Sequence, residues 1–524
     1  MSRRIIFPTI LFLYATGLFA QSASLELRKL QFAEMAVEAL YVDSVDEKKL
    51  VESAIRGMLR ELDPHSEYAT AEEVQRMNEP LTGNFEGIGV QFTLLEDTML
   101  VIQTISGGPS EKVGIRAGDR IIAVNDTAIA GVKMSQDEIM SRLRGAKGSK
   151  VNLRVVRRSV EKPLLFTVVR DKIPIHSLDA AYLIRPHIGY IRLNRFAATT
   201  HEEFCEALRQ LIQAGARDLI LDLQGNGGGY LQAATALANE VLEDNELIVY
   251  IEGRRTGRQN YNARGNGMFR TGKLAVLIDE YSASASEIVA GAVQDWDRGL
   301  IIGRRSFGKG LVQRPIDLPD GSMIRLTTAR YYTPSGRCIQ KPYTANDEQG
   351  YENELNERYL HGELLYADSI QMPTGDSLKY ETRKLHRTVY GGGGIMPDIF
   401  VPLDTTTVYT RYHRAIVNQG VLLKAVDHYI EMNRAEMEIR YRDFDKYYTE
   451  FTVDDDLLEY LRSEADKAGI PFDEAQYIKA LPLIRLQLKA YIARDFWDMN
   501  AFFRIFNETD NTVLRAVAAL SDEK

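Results

Sequence analysis

Tyr281-Ser282-Ala283-Ser284-Ala285-Ser286-Glu287-Ile288 stands between an apolar run at 274–278 and an apolar stretch that continues to Trp296. The first run reads as a buried strand and the second as a helix, so the octapeptide is the turn that joins them. Ser284 followed three residues later by Glu287 is the capping-box pattern, which sets Ser284 at the helix N-terminus. A serine there either caps the helix or uses the helix's unpaired amides and positive end to stabilise an oxyanion formed beside it. Chemistry alone does not choose among Ser282, Ser284 and Ser286.

Around this turn, apolar strands alternate with helices. Strand-like runs at 188–193, 219–223 and 247–252 are interleaved with helical patterns at 200–214 and 230–242, which predicts an α/β core. The run at 219–223 ends in Gln224-Gly225-Asn226-Gly227-Gly228-Gly229-Tyr230. Glycines let backbone amides approach a ligand closely, so this turn can offer a second oxyanion donor.

A serine hydroxyl needs a base. None of the eight histidines sits in a recognisable hydrolase motif, and G-x-S-x-G is absent. A buried lysine loses charge more readily and can take the proton instead. Lys309, within Ser306-Phe307-Gly308-Lys309-Gly310-Leu311-Val312-Gln313, is the candidate; on a strand, Gln313 would share its face and could orient the amine. Gly303 to Gly310 also matches the start of a phosphate loop, but Gly310 stands where Ser or Thr must hold magnesium and a strand follows instead of a helix. No nucleotide is therefore expected.

Between 79 and 172 the texture changes to short strands (87–94, 99–105, 120–124, 151–156, 164–169) with one helix at 135–143. Gly87-Ile88-Gly89-Val90 and the stretch from Gly107-Gly108-Pro109 to Gly118-Asp119-Arg120-Ile121 resemble a PDZ domain. That resemblance implies carboxylate binding at Gly87, Ile88, Gly89 and Val90. Arg144, just past the helix, either ends it favourably or bridges to the core as a regulatory residue.

Apolar positions at helical intervals predict a helical hairpin over 25–73 within a helical region at 21–78, a candidate homodimer element. Arg3 and Arg4 followed by an apolar stretch to Phe19 predict a signal peptide at 1–20, hence a periplasmic or other cell-envelope location, with membrane association if the segment is retained. Residues 347–384 are charged without clear periodicity and read as a surface insertion; 404–524 reads as helical. With 524 residues, 45% apolar content and a net charge of −9, the chain is multi-domain and has no basic face for nucleic acid. Cys205 and Cys338 exclude a disulfide framework; without a ligand-spaced cysteine pair or H-E-x-x-H, neither metal nor cofactor is expected.

Ser282 to Ala290, Phe307 to Gln313, Asp222 to Gly229, Tyr331-Tyr332-Thr333-Pro334-Ser335-Gly336-Arg337 and Leu62-Asp63-Pro64-His65-Ser66 together resemble the carboxyl-terminal processing, or tail-specific, serine peptidases. The resemblance covers about residues 25–403. It implies a Clp protease/crotonase-like core at 173–403, Ser284 as nucleophile, Lys309 as general base 25 residues later, and Gln313 as its orienter. It further implies an oxyanion hole from Ala285 and a glycine of the turn, Gly228 or Gly229, and protein or peptide substrates recognised by their C-termini. The chain departs from the family pattern at Gln224, where arginine is frequent, and at Gly227, where proline is common. The alternative is a PDZ-bearing binding protein with an inactive core.

Overall fold

A computed structural model describes residues 24–521 apart from 96, 106, 158–159, 371–375 and 405–408. The expected signal peptide lies outside the described residues.

A six-stranded sheet forms the centre, in the order Leu178–Arg185, Ile188–Leu193, Asp218–Asp222, Leu274–Ile278, Leu300–Gly303 and Ile399–Phe400. Ile188–Leu193 and the four strands beyond it run parallel, and Leu274–Ile278 is buried along its whole length. Burial on both faces explains why these strands read as continuous apolar runs instead of alternating ones. Helices Thr200–Gln213, Leu231–Asn239 and Ala285–Asp295 cover one face, with Phe204, Leu208, Leu237, Val289 and Val293 packed on Ile191, Leu221 and Val276. The opposite face, carrying Tyr190, Ile220, Ala275 and Leu277, is covered by Phe503, Val513, Ala516 and Val517 of helices Met499–Phe506 and Asn511–Ser521. The C-terminal helical region therefore completes the α/β core, besides holding an apolar cluster of its own around Tyr447, Leu461, Ile484 and Leu488.

A second sheet supports the catalytic side. Met323–Tyr332 pairs with Leu247–Glu252, with Leu311–Asp317, and with the short strand Glu67–Ala69. A bulge separates Val312 from Gln313. The motif ending in Ser335-Gly336-Arg337 is anchored at the helix Ala285–Asp295: fully buried Arg337 donates to Asp295 Oδ1 at 2.7 Å and to Gln294 Oε1 at 2.8 Å.

The PDZ domain has five strands in the order Val90–Leu95, Thr98–Thr104, Arg120–Val124, Lys150–Val156 and Leu164–Val169, with Thr127–Ala128 added to the third. The strand expected at 87–94 is broken: Asn84–Gly87 pairs antiparallel with Asp171–Pro174, clasping the chain where it enters and leaves the domain. The expected boundary at 78/79 falls inside helix Ala71–Thr82. Upstream, the two runs of the expected hairpin are helices Leu25–Leu40 and Glu47–Arg60, and the end of the 25–73 segment adds the strand Glu67–Ala69, which the periodicity does not reveal because it is only three residues long. Leu25–Leu40 buries none of its residues. The segment read as a surface insertion instead packs inward: its helix Glu348–Leu360 buries Tyr351 and Arg358, and Glu363 accepts from both Arg305 and Arg358. Its charges are internal partners, which the absence of an apolar stripe conceals.

Candidate active site

The strand Leu274–Ile278 delivers the chain into the serine turn, and the three serines separate at once by environment. Ser282 is buried and its hydroxyl donates to the carbonyl of Leu223 at 2.8 Å. Ser286 is buried and donates to the carbonyl of Asn226, also at 2.8 Å. Ser284 is half-buried and lines a cleft of about 560 Å³ that Lys309, Gln313, Ala285 and Gly227 to Gly229 also line. Its backbone sits at φ 53° and ψ −109°, a left-handed conformation that a non-glycine residue adopts only under constraint.

Two buried side chains supply that constraint. The Glu287 carboxylate accepts from the amide of Ser284 at 2.8 Å, the amide of Lys309 at 2.9 Å, the amide of Gly308 at 2.7 Å and the hydroxyl of Ser306 at 2.5 Å. The Tyr331 hydroxyl reaches the carbonyls of Ser284 at 3.2 Å and Lys309 at 2.5 Å. Glu287, expected only as a capping residue, thus ties both candidate catalytic loops together from within. Burial pushes its pKa up to about 7, opposed by the hydroxyl and amide donors that favour the carboxylate.

Burial, reinforced by the charge of Arg325, holds the Lys309 amine below the ordinary lysine range. The same burial, with the Lys309 charge second, lowers His65 to about 4, so His65 is neutral near pH 7; its Nε2 lies 2.9 Å from the Tyr351 hydroxyl. Gln313 donates to Thr327 Oγ1 at 3.2 Å, and Thr327 donates onward to Asp63 Oδ1 at 2.9 Å. Lys309 precedes the strand and the bulge intervenes, so the simple alternation that would put Lys309 and Gln313 on one face does not apply. Both residues nonetheless line the same cleft.

Asn226 fastens the glycine turn beneath the serine turn: its carbonyl accepts from the amide of Ala283, and its side chain accepts from the amide of Gly228 at 2.9 Å. Gly228, at φ 98°, lies so near the serine that a Cβ would stand 2.9 Å from Ser284 Cβ and 2.7 Å from the carbonyl of Ala283. Of the two candidate glycine donors, Gly228 therefore already spends its N–H on Asn226. The Gly229 amide has no hydrogen-bond partner among the described residues.

In the PDZ domain, Gly87 to Val90 line a cavity of about 70 Å³ with Phe85, Met140, Leu143 and Arg144. The strand Val90–Leu95 is the sheet's edge, paired only with Thr98–Thr104. Gly89, at φ 74°, leaves a Cβ only 3.0 Å from Ile173 Cδ1. Arg144 Nη1 pairs with Glu79 Oε2 at 2.6 Å, and Glu79 belongs to helix Ala71–Thr82, whose Met77, Asn78 and Leu81 wall the Ser284 cleft.

Peptidase family S41 matches residues 187–349, a PDZ domain 87–168, the activating protease CtpB N-terminal domain 16–73, and a family of unknown function 412–498. The carboxy-terminal-processing protease of Bartonella bacilliformis is 36% identical over 342 residues, covering 63% of this chain and 78% of its own. Carboxy-terminal processing protease CtpB of Bacillus subtilis is 33% identical over 316 residues, covering 60% of this chain and 65% of its own. A solved photosystem II D1 C-terminal processing protease is 27% identical, covering 72% of this chain and 86% of its own, with a TM-score of 0.37. An α/β core joined to a PDZ domain and related in sequence to the Bartonella and Bacillus enzymes is a serine-type peptidase. The chain belongs to peptidase family S41, among the carboxy-terminal processing proteases.

Proposed function

We propose that the protein is an exported endopeptidase whose PDZ domain captures the free carboxyl terminus of a protein substrate, and whose Ser284 attacks the chain with Lys309 as general base. The separation of the three serines supports the reading, since Ser284 alone of the three lines the cleft that Lys309 also lines. Ser284 loses its proton to the neutral Lys309 amine and attacks a peptide carbonyl; Lys309 returns the proton to the leaving amine, and water releases the acyl group. The amides of Ala285 and Gly229 receive the oxyanion, with Gly228 permitting their close approach. Gln313 orients the amine from the Thr327–Asp63 network.

The open edge of Val90–Leu95 suits strand addition, with the terminal carboxylate at Gly87 to Val90. Two peptides differing only in a free or amidated terminus should be cleaved at different rates, the amidated one more slowly, and Gly89→Glu should erase the difference. Equal rates for the parent protein would show that the domain does not read the terminus. The Arg144–Glu79 pair supports a coupling from this groove to the cleft through helix Ala71–Thr82. Arg144→Ala should lose cleavage while binding the tail normally; unchanged cleavage returns Arg144 to a surface role.

The domain division that accompanies this reading is a signal peptide at 1–20, a helical region to 78, the PDZ domain at 79–172, the core at 173–403 and the helical region from 404. No helix of the described residues is long and apolar enough to cross a membrane; the cell-envelope location rests on the leader. Phe32, Met35 and Leu40 are exposed on helix Leu25–Leu40, and we assign that face to a second copy of the chain. Deleting residues 21–70 should lower the oligomeric mass in light scattering, and an unchanged mass would refute the assignment.

A further inference from the structure

On the outer side of the core, away from Ser284, three different donor types converge. His201 and Cys205 lie one turn apart on helix Thr200–Gln213, so their side chains share a face. Glu240, the residue that ends helix Leu231–Asn239, meets them across the gap between the two helices. His201 Nε2 is 2.9 Å from Glu240 Oε1 and 3.4 Å from Cys205 Sγ, and the three donor atoms lie within 4.8 Å of one another. We propose that His201, Cys205 and Glu240 form a zinc site, with imidazole nitrogen, thiolate sulfur and carboxylate oxygen as ligands and water in the fourth position.

The geometry fits the ion better than it fits the alternatives. Tetrahedral zinc, with bonds of about 2.0–2.3 Å, holds its donors about 3.3–3.6 Å apart; the Cys–His pair already stands at 3.4 Å, the His–Glu pair at 2.9 Å would part slightly, and the Cys–Glu pair lies within 4.8 Å. A nucleophilic Cys-His-Glu relay would use the two ring nitrogens for different partners, whereas here sulfur and carboxylate meet the same Nε2. The carboxylate is already aimed: its other oxygen accepts from the amide of Met268 at 2.9 Å, leaving Oε1 for the site. His201 is 40% exposed at its side chain and Glu240 8%, so an ion can enter from solvent yet be bound by a fixed ligand. Binding exchanges the Cys205 thiol proton, released to water, for the metal. The mixed nitrogen, sulfur and oxygen donor set favours zinc over magnesium or calcium. Such an ion would staple the start of one helix to the end of the other, and that second helix begins directly after Gly228 and Gly229.

The test uses the full chain stripped with a chelator and titrated with Co²⁺, then with Zn²⁺ in competition. One equivalent of cobalt should bind with a thiolate-to-cobalt charge-transfer band, displaced by zinc. The band should vanish in Cys205→Ser, persist in Cys338→Ser, and need at least tenfold more cobalt in His201→Ala. Absence of the band, its survival in Cys205→Ser, or its loss in Cys338→Ser alone would overturn the site. Should Cys205→Ser not fold, zinc protection of Cys205 from alkylation in the parent decides: protection supports the site, and an unchanged alkylation rate rejects it.

Discussion

Ser284→Ala should lower kcat roughly 10⁴- to 10⁶-fold with the fold intact, the scale on which losing a nucleophile acts when binding and oxyanion stabilisation remain. Lys309→Ala should fall in the same range, because among the described residues lining the cleft no other lysine, histidine or carboxylate stands ready as a base. Lys309→Arg should be equally inactive, since a guanidinium does not give up its proton near neutral pH. Ser282→Ala and Ser286→Ala should keep measurable turnover, because their hydroxyls are donated to backbone carbonyls away from the cleft. In the parent, the rate should climb with pH as the Lys309 amine sheds its proton, and its limb should lie below that of a free lysine. Full activity in Ser284→Ala or Lys309→Ala, measured as fragments released from an unstructured polypeptide, would sink the assignment.

Glu287→Gln should be the most damaging change at a position that touches no substrate. Its carboxylate accepts from three amides and a hydroxyl, and a carboxamide keeps only one acceptor while turning an NH₂ towards the donors. Each buried donor left unpaired costs about 1–3 kcal/mol, so the Ser284 and Lys309 loops should slip apart. We expect kcat to drop roughly 100-fold or more, with KM nearly unchanged because the PDZ groove is untouched. The pH dependence separates this from mere damage. With a pKa of about 7, Glu287 becomes a carboxylic acid as pH falls through neutrality and its acceptance from the Ser284, Gly308 and Lys309 amides weakens, with only the Ser306 hydroxyl able to take its added proton; activity should therefore fall with it. Stability should run the other way. The folded-state pKa lies above the ordinary 4.5, so the group's contribution is fully present below that value and fades as pH rises through about 7. Melting curves of parent and Glu287→Gln across pH 4–8 should show the difference, and a kcat within threefold of the parent would remove Glu287 from the positioning role.

The parts of the site legible in sequence are those whose logic is local. Ser284 follows a buried strand and opens a helix, and Lys309 lies among glycines and apolar residues, so each carries its signature within a few positions. Glu287 carried a local signature too, that of a cap, and this hid its long-range one: three of its four partners, Ser306, Gly308 and Lys309, come from a different loop. Tyr351 and Arg358 escaped notice because a helix that buries single aromatic and charged residues produces no apolar stripe. The relation of Lys309 to Gln313 depends on a bulge, which strand periodicity cannot reveal. Cysteine spacing was read for pairs of cysteines, whereas the informative spacing was His201 to Cys205 on one helix. The choice among three serines needed the carbonyls of Leu223 and Asn226, which arrive only when the sheet is assembled.

The helix Asn511–Ser521 lies across Tyr190, Ile220, Ala275 and Leu277 of the central sheet, a partnership between residues that emerge more than 200 positions apart. While the polypeptide is being synthesised, those side chains lack this cover until residues 511–521 have followed them. Residues 511–521 close that face of the sheet carrying the glycine and serine turns. The sheet that carries the glycine and serine turns thus reaches its finished packing only once residues 511–521 have joined strands laid down more than 200 positions earlier.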